Sequence, residues 1–340
     1  MKCSVIIPVY NGARTIEATL AGISRPAFPY EILVVDDGST DGTGEILLSL
    51  AKSDPALRVI RQENAGPAAA RNRGLAEAAG EYIMFCDADD AFLPGMPEQA
   101  VLEAEKRGAD LLLAGFVLTE PGRESAPYTY RDLDGAEVSA RLADLYRSNL
   151  LNQVWAKVFR SDLIRTLSFP DRKWGEDRLF LFQALSRAKS PAVWSESMYD
   201  YRQQKGSLIS RFLPDKPAVC READEAFRTL AKALGAWDEP CRAAADYMLV
   251  KSLWSALTTL YSPSCPLTRR EKTAYVRAVL AEEQGRERIY PADCGKAFRV
   301  LAKVLAKGSP STVRVTAKAV ATLSGILPDA ARRAKHAYNR

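Results

Sequence analysis

The stretch Phe85-Cys86-Asp87-Ala88-Asp89-Asp90 decides the reading of this chain. The apolar run 82–86 leads straight into three carboxylates within four positions. A buried strand that ends in clustered acids leaves negative charge at a sheet edge, which is costly unless a cation sits there. Hard carboxylate oxygens suit Mg2+ or Mn2+, and those ions normally arrive with phosphate oxygens. The sequence thus predicts a metal–diphosphate site at a strand end.

Upstream, strands and helices alternate. Residues 4–9 form a β-branched run closed by Asn11-Gly12, and 13–23 has helical spacing through Ile16, Leu20 and Ile23. A strand over 31–35 ends in Asp36-Asp37-Gly38-Ser39. A helix over 40–52, a strand over 57–61 and an Ala-rich helix over 67–80 follow. This order implies a parallel sheet with helices on both faces, and ligands in such sheets bind beyond the carboxyl ends of the strands. The polar clusters after Val9, Val35 and Cys86 all fall at that edge. Further on, 97–107 reads as helix, 110–118 as strand and 120–130 as a surface loop; the chain turns helical and Ala-rich beyond 215. The predicted domains are 1–212, with a donor half to about 100 and an acceptor half over 101–212, and a helical region over 213–340.

The edge motifs exclude two common phosphate cradles. Val9-Tyr10-Asn11-Gly12 is not a G-x-G-x-x-G turn, and 38–44 does not match G-x-x-x-x-G-K-[ST]. What remains is a turn that offers backbone groups and the Tyr10 ring to a base, with Asp37 placed to accept from a pyrimidine N–H. Asp36, Ser39 and Thr40 read equally well as caps of the next helix.

Bulk properties narrow the chemistry. The chain has 340 residues, 47% hydrophobic and 26% charged, as in an ordinary globular protein. No signal peptide and no apolar run long enough to span a membrane is read from it. The six cysteines form no C-x-x-C pair and read as reduced thiols. The single histidine, His336, leaves proton transfer to carboxylates. From Lys296 onward ten Lys/Arg face one acid, Asp329, a net +9. The whole chain is +5, so residues 1–295 carry about −4. That body argues against nucleic acid as a partner, and the basic tail suits an anionic surface. The spacing of Leu301, Val304, Leu305, Val313 and Val315 allows an amphipathic membrane anchor or one face of a helical bundle.

Five blocks in order resemble family 2 glycosyltransferases. They are Ser4–Gly12, Val34–Thr43, Asn64–Pro67 with Ala70–Leu75, Gly80–Ile83 with Asp87–Asp90, and a later set of Asn152–Arg160, Phe169-Pro170, Gly175-Glu176-Asp177 and Tyr199–Ser207. The resemblance spans roughly 3–210. It implies an α/β GT-A-type nucleotide-sugar-binding domain with a mostly parallel central sheet, followed by the α-helical C-terminal region. It also implies a UDP-sugar donor, Mn2+ or Mg2+, and inversion at the transferred sugar. Pro8, Tyr10, Asn11 and Asp37 would then hold the nucleoside. Asp87 and Asp89 would form the D-x-D metal pair, with Asp89 the direct metal ligand and Asp87 nearer the ribose or the metal's waters. Asp177 of the E-D pair would be the base, Glu176 would orient an acceptor hydroxyl, and Arg202 would pair with the diphosphate from a loop shared with Tyr201, Lys205, Gly206 and Ser207.

Other readings of single residues stay open. Arg71 reaches the nucleotide, pairs with an acid such as Asp87, or lies on the surface. Asp90 caps the helix near 94–104. Asp177 also suits an acidic helix start. Trp155 stacks on an acceptor sugar or belongs to the core, and Lys157 is equally open. The resemblance implies a glycan or lipid-linked acceptor in cell-surface polysaccharide synthesis. The implied location is cytoplasmic, at the inner face of the plasma membrane. A nucleotidyltransferase would need a Gly-rich basic loop where Tyr10-Asn11-Gly12 stands. A non-catalytic sugar-nucleotide or glycan-binding protein would not need Asp177 beside a complete D-x-D.

Overall fold

The computed structural model describes residues 1–120, 125–172, 174–203 and 211–326. The chain divides into two compact units: Met1–Arg141 with Ser148–Gln204, and Leu142–Arg147 with Lys205–Arg340. The sequence reading put the change at 212–216; the division falls earlier, and a short helix from the middle of the chain joins the second unit.

The first unit opens with β1 (Cys3–Val9), α1 (Ile16–Ala21), β2 (Tyr30–Asp36), α2 (Thr43–Ala51), β3 (Leu57–Arg61), α3 (Pro67–Glu77) and β4 (Tyr82–Phe85). Then come β5 (Ala91–Phe92), α4 (Glu98–Arg107), β6 (Leu111–Thr119), β7 (Ala126–Tyr128), β8 (Leu133–Asp134) and α5 (Ala136–Ala140). After α6 (Leu142–Arg147), which belongs to the second unit, it closes with β9 (Lys157–Arg160), α7 (Ser161–Ile164), α8 (Glu176–Arg187) and β10 (Pro191–Arg202).

The strands form one sheet ordered β3-β2-β1-β4-β9-β6-β10-β5, with β7 on β6 and β8 on β10. Strands β3, β2, β1 and β4 are mutually parallel, as the alternating order requires. Strand β9 then runs antiparallel between β4 and β6, so the acceptor half makes the sheet mixed. Val5, Ile6, Ile7, Leu33, Val34, Ile83 and Met84 are fully buried. Each such side chain stabilises the sheet by about 1.5–3 kcal/mol through removal from water. Helix α3 lies very close to β1, since a Cβ on Gly74 would sit 2.4 Å from Ile6 Cγ2. That approach fixes where Arg71, one turn earlier, is delivered.

Two elements differ from expectation. The first helix is shortened to Ile16–Ala21, because Ala13–Thr15 complete the turn after Gly12, whose carbonyl accepts from Thr15 N and Ile16 N. The expected loop over 120–130 contains β7, held on β6 by a Phe116–Tyr128 ring stack at 4.7 Å.

The second unit is helical: α6 with α9 (Lys216–Ala233), α10 (Glu239–Thr258), α11 (Arg269–Ala281), α12 (Lys296–Lys307) and α13 (Pro310–Ile326). Tyr146 stacks on Phe227 at 3.9 Å, and Trp254 Nε1 donates to the Leu301 carbonyl at 3.1 Å. Leu305 and Val313 are fully buried in this unit. Part of the apolar stripe is therefore used as helix-packing surface, while Val315 stays 57% exposed. No helix of the described residues is long and apolar enough to cross a membrane. The cysteines of the described residues are free, as expected for reduced thiols. His336 and the tail cations from Arg332 onward lie outside the described residues.

Candidate active site

Parallel pairing aligns three strand ends. Val9 faces Asp36 across β1–β2, Ile6 faces Phe85 across β1–β4, and Asp37 N donates to the Val9 carbonyl. The loops after β1, β2 and β4 therefore share one edge.

The first two loops brace each other. Asn11 takes a left-handed φ of 53°; its Oδ1 accepts from Thr40 N at 2.8 Å, while its own N–H donates to Ser39 Oγ at 2.9 Å. Gly12 N donates to Thr43 Oγ1 at 2.9 Å. Asn11 is thus spent on loop architecture, and Tyr10 beside it stays 53% exposed and open to a planar ligand. Pro8 is half-buried at the strand end. Asp37 turns inward: Oδ1 accepts from Gln62 Nε2 at 2.7 Å and Ala65 N at 2.9 Å, and Oδ2 from Gly66 N at 2.8 Å. These donors fix its orientation and leave roughly one of about four acceptor positions for a base N–H. The capping alternative does not hold. Helix α2 begins at Gly42 without a side-chain cap, and Asp36 instead accepts from Ser39 N within the turn.

At the centre lies Arg71, 5% exposed. Its Nη2 donates to Asp87 Oδ1 at 2.9 Å and its Nη1 to Glu176 Oε1 at 2.8 Å. Nη1 also lies 3.0 Å from Asp177 Oδ1, close enough for an ion pair though off the hydrogen-bonding line. The guanidinium sits over the Phe169 ring, 5.6 Å from its centroid. One open reading of Arg71 falls away: it is not on the surface; both Nη groups are committed to acids, while Nε has no hydrogen-bond partner among the described residues. Arg73, two residues on, is the surface arginine, paired with Glu77 at 3.2 Å. Asp87 and Asp177 oxygens are therefore within about 8 Å of each other, two ion-pair contacts plus one guanidinium width.

Burial governs the carboxylates. Desolvation, with Glu176 and Asp87 adding to it and Arg71 opposing, pushes Asp177 up to about 7. A Val154 backbone N–H also donates to it. Asp89 is exposed, yet partial desolvation and the Asp87 charge push it up to about 6. Asp90 is 1% exposed and is not a helix cap. Its Oδ2 accepts from Tyr199 Oη at 2.9 Å and its Oδ1 from Arg202 N at 2.8 Å; Tyr199 Oη accepts in turn from Asp87 N at 2.9 Å. The acidic turn is thereby bolted to the end of β10. Nothing in the sequence marks Tyr199 for this task, which rests on a pairing 109 positions apart.

Two residues leave the roles first considered. Trp155 is 7% exposed, stacked on Tyr199 at 4.7 Å and Tyr201 at 5.2 Å, with Phe116 edge-on at 4.9 Å. Enclosed by three rings, it belongs to the core and presents no face to an acceptor sugar. Glu176, 6% exposed, spends Oε1 on Arg71, so its first task is to hold that guanidinium rather than an acceptor hydroxyl. Arg202 Nε donates to Asp200 Oδ2 at 2.8 Å, with the side chain 41% exposed. Lys205, Gly206 and Ser207 lie outside the described residues. Lys157 is fully buried, its Nζ donating to the Trp155 carbonyl at 3.2 Å. Desolvation lowers it to about 7, and Asp177 partly offsets this. Between Trp155 and Lys157, Ala156 holds a left-handed φ of 56°, strain of the kind that gathers at working sites.

The donor set fits a divalent cation in one respect and limits it in another. Asp87 Oδ2 and Asp89 offer hard oxygens, and their mutual repulsion is what a cation relieves. Among the described residues no group of three or more His, Cys, Asp or Glu could hold a metal ion. Diphosphate oxygens and water must complete any coordination shell.

Residues 4–167 match the family model described as glycosyl transferase family 2. Glycosyltransferase EpsJ of Bacillus subtilis is 32% identical over 228 residues, 64% of each chain. GlyA of Streptococcus pneumoniae is 29% identical over 61% of this chain and 31% of its own, so this chain covers less than two thirds of these relatives' length. Among solved structures, S. aureus TarS 1-349 in complex with UDP-GlcNAc aligns at a TM-score of 0.63 and 22% identity, over 96% of this chain and 92% of that one. The mannosyltransferase PcManGT of Pyrobaculum calidifontis, in complex with GDP-Man and Mn2+, aligns at 0.50 and 18% identity over 96% and 88%. Both likenesses are of fold, the GT-A architecture that the motif order implied.

Proposed function

The chain belongs to glycosyl transferase family 2, and on that premise we propose that it is an inverting, metal-dependent glycosyltransferase. It moves a sugar from a UDP-sugar to a hydroxyl of a glycan or lipid-linked acceptor in cell-surface polysaccharide synthesis. The observation that carries the reading is the Arg71 bridge, which holds the D-x-D residue Asp87 and the candidate base Asp177 on either side of one guanidinium. Asp90 and Tyr199 support it by fixing the turn that carries Asp87 and Asp89. TarS, solved with UDP-GlcNAc, supports the uridine donor, and PcManGT, solved with Mn2+, supports the metal.

In the proposed step Asp177 takes the proton of the acceptor hydroxyl as its oxygen bonds to the anomeric carbon. The bond from that carbon to the diphosphate breaks on the opposite side, UDP leaves with the electron pair, and configuration inverts. A base poised near 7 is half-ionised at neutral pH and still strong enough to accept. Asp89, with Asp87 Oδ2, would hold the cation. When bound, it would neutralise charge growing on the departing diphosphate, an effect of several kcal/mol. Tyr10 would lie against the base and Asp37 would accept its N–H, with Pro8 and Asn11 shaping the turn around it. Arg202 has donors beyond the one given to Asp200 and could meet the diphosphate. Arg71 and Glu176 act by holding Asp177. The proposed location is cytoplasmic, at the inner face of the membrane that carries the acceptor.

The test is UDP release from a panel of UDP-sugars, with water as acceptor, with and without Mn2+. Asp89→Ala should abolish the metal-dependent part. Release that ignores both chelation and this substitution refutes the proposal.

A further inference from the structure

We propose that the outer face of α12 is an electrostatic docking surface for an anionic lipid bilayer. The helix carries Lys296, Arg299, Lys303 and Lys307 and no acid. All four are exposed, and at 100° per residue they fall on one face, opposite the buried Phe298, Ala302 and Leu305. No acid lies within ion-pair distance of Lys296, Lys303 or Lys307 among the described residues. Arg299 donates to the Pro291 and Ala292 carbonyls.

This arrangement works against the isolated helix. Arg299–Lys303 and Lys303–Lys307 are like-charge pairs at i,i+4, which repel. Lys296 stands in the first turn, where the helix dipole disfavours a cation. Helix α13 continues the bias, with Arg314 and Lys318 and no acid. Lys307 alone suits the dipole, in the last turn; two like-charge pairs and a first-turn cation on one acid-free face mark a surface built for a partner of opposite charge. Apolar residues among the cations favour a bilayer over a soluble polyanion: Val300 is 59% exposed within the basic face, and Val315 and Leu323 on α13 are 57% and 55% exposed. Such side chains gain at a headgroup boundary and nothing against a hydrated polymer.

The mode differs from the amphipathic anchor first considered, because the apolar face of α12 is already packed in its own unit. Binding is therefore carried by charge, with shallow apolar contact. The inference rests on the proposed membrane-side acceptor for its purpose only; vesicle binding tests one and UDP release in solution tests the other.

The experiment uses the full chain and a Lys296→Gln, Lys303→Gln, Lys307→Gln variant, sedimented with phosphatidylglycerol or phosphatidylcholine vesicles. Arg299 is kept because it ties down the preceding turn. Wild type should prefer phosphatidylglycerol. Each lysine is worth roughly fivefold, so the variant should bind about a hundredfold more weakly. Binding should also fade between about 0.1 and 1 M salt, as the screening length falls from about 10 Å to 3 Å. UDP release should be unchanged, and the thermal midpoint equal or slightly raised, because the substitutions relieve the like-charge pairs. A matching Lys→Arg triple variant should bind as wild type, separating charge from folding. Equal binding by wild type and the Gln variant, no preference for the anionic lipid, or tighter binding to soluble polyphosphate than to vesicles overturns the proposal.

Discussion

Replacing Asp177 by Asn keeps the shape of the side chain and removes both its charge and its basicity. The proposed chemistry then predicts a loss in transfer rate of about 10²–10⁴, with donor affinity nearly intact. The structure adds a second, opposite prediction. Burial pushes Asp177 up from 3.8 to about 7, so the folded state favours its protonated form. Such a group costs nothing in stability below pH 4, and an increasing amount as pH rises from 4 to 7. A shift of about three units corresponds to at most about 4 kcal/mol, a bound that already contains the opposing effects of Arg71 and Glu176. In a domain of this size that is at most roughly 8–16 °C in thermal midpoint. The Asn variant escapes the cost, so its midpoint should exceed that of wild type by more at pH 8 than at pH 5. The assay pairs thermal unfolding at those two pH values with transfer rates across the same range. Wild-type rates should fall on the acid side of about pH 7. A variant that transfers at the wild-type rate removes the base assignment. A stability gap that does not widen with pH removes the electrostatic account.

Arg71→Met should be worse for folding than any single acid substitution. It strands Asp87, Glu176 and Asp177 without their cation, at a cost of about 3–5 kcal/mol measurable by urea unfolding. Where enough folded protein survives, Asp177 loses the charge that lowers it, so the acid limb of the rate profile should move to higher pH. Gly74→Ala should destabilise by about 1–3 kcal/mol, since the new methyl would overlap Ile6 where α3 meets β1. An unchanged denaturation midpoint for the Ala variant contradicts the close approach.

The donor half was legible because its signals are local. Strands β1 to β4 each announce themselves by an apolar run and a polar break. Chain order alone makes them parallel, and parallel strands bring their following loops to one edge. The D-x-D turn could be read for the same reason, since three acids after a buried strand have few uses. What stayed hidden is long-range pairing. That Arg71 meets Glu176, 105 positions away, leaves no trace in the periodicity of either helix. Asp90 looked like a cap because caps are local; its partners Tyr199 and Arg202 come from β10, which pairs with β5 and β6 in a register no turn specifies. Trp155 was ambiguous for a physical reason. Apolar aromatic surface serves core and sugar equally, and only the rings of Tyr199, Tyr201 and Phe116 around it decide. Leu142–Arg147 went to the second unit on the strength of contacts with α10, a hundred residues away, which no boundary read from composition could anticipate.

The distribution of buried charge is itself an argument for chemistry over stability. Asp90, Glu176, Arg71 and Lys157 are each less than 7% exposed, and the Asp177 side chain beside them is 18% exposed. Apolar residues of similar volume could fill that space, and replacing buried ionic groups in this way is often neutral or stabilising. Around this cluster the first unit packs Phe85, Phe159, Phe169 and Phe180 against one another, so its ability to build an apolar core is not in question. The charges are excluded from that core and collected at one end, beside a left-handed alanine and a lysine lowered to about 7. Perturbed groups gather where a protein needs a proton held or moved. Burial pushes Asp90 up to about 9 and leaves it neutral at pH 7, but Asp87, Glu176 and Asp177 still share the one Arg71 guanidinium, so an added positive charge at this turn is favourable. The same turn that creates the deficit exposes Asp89 to receive it.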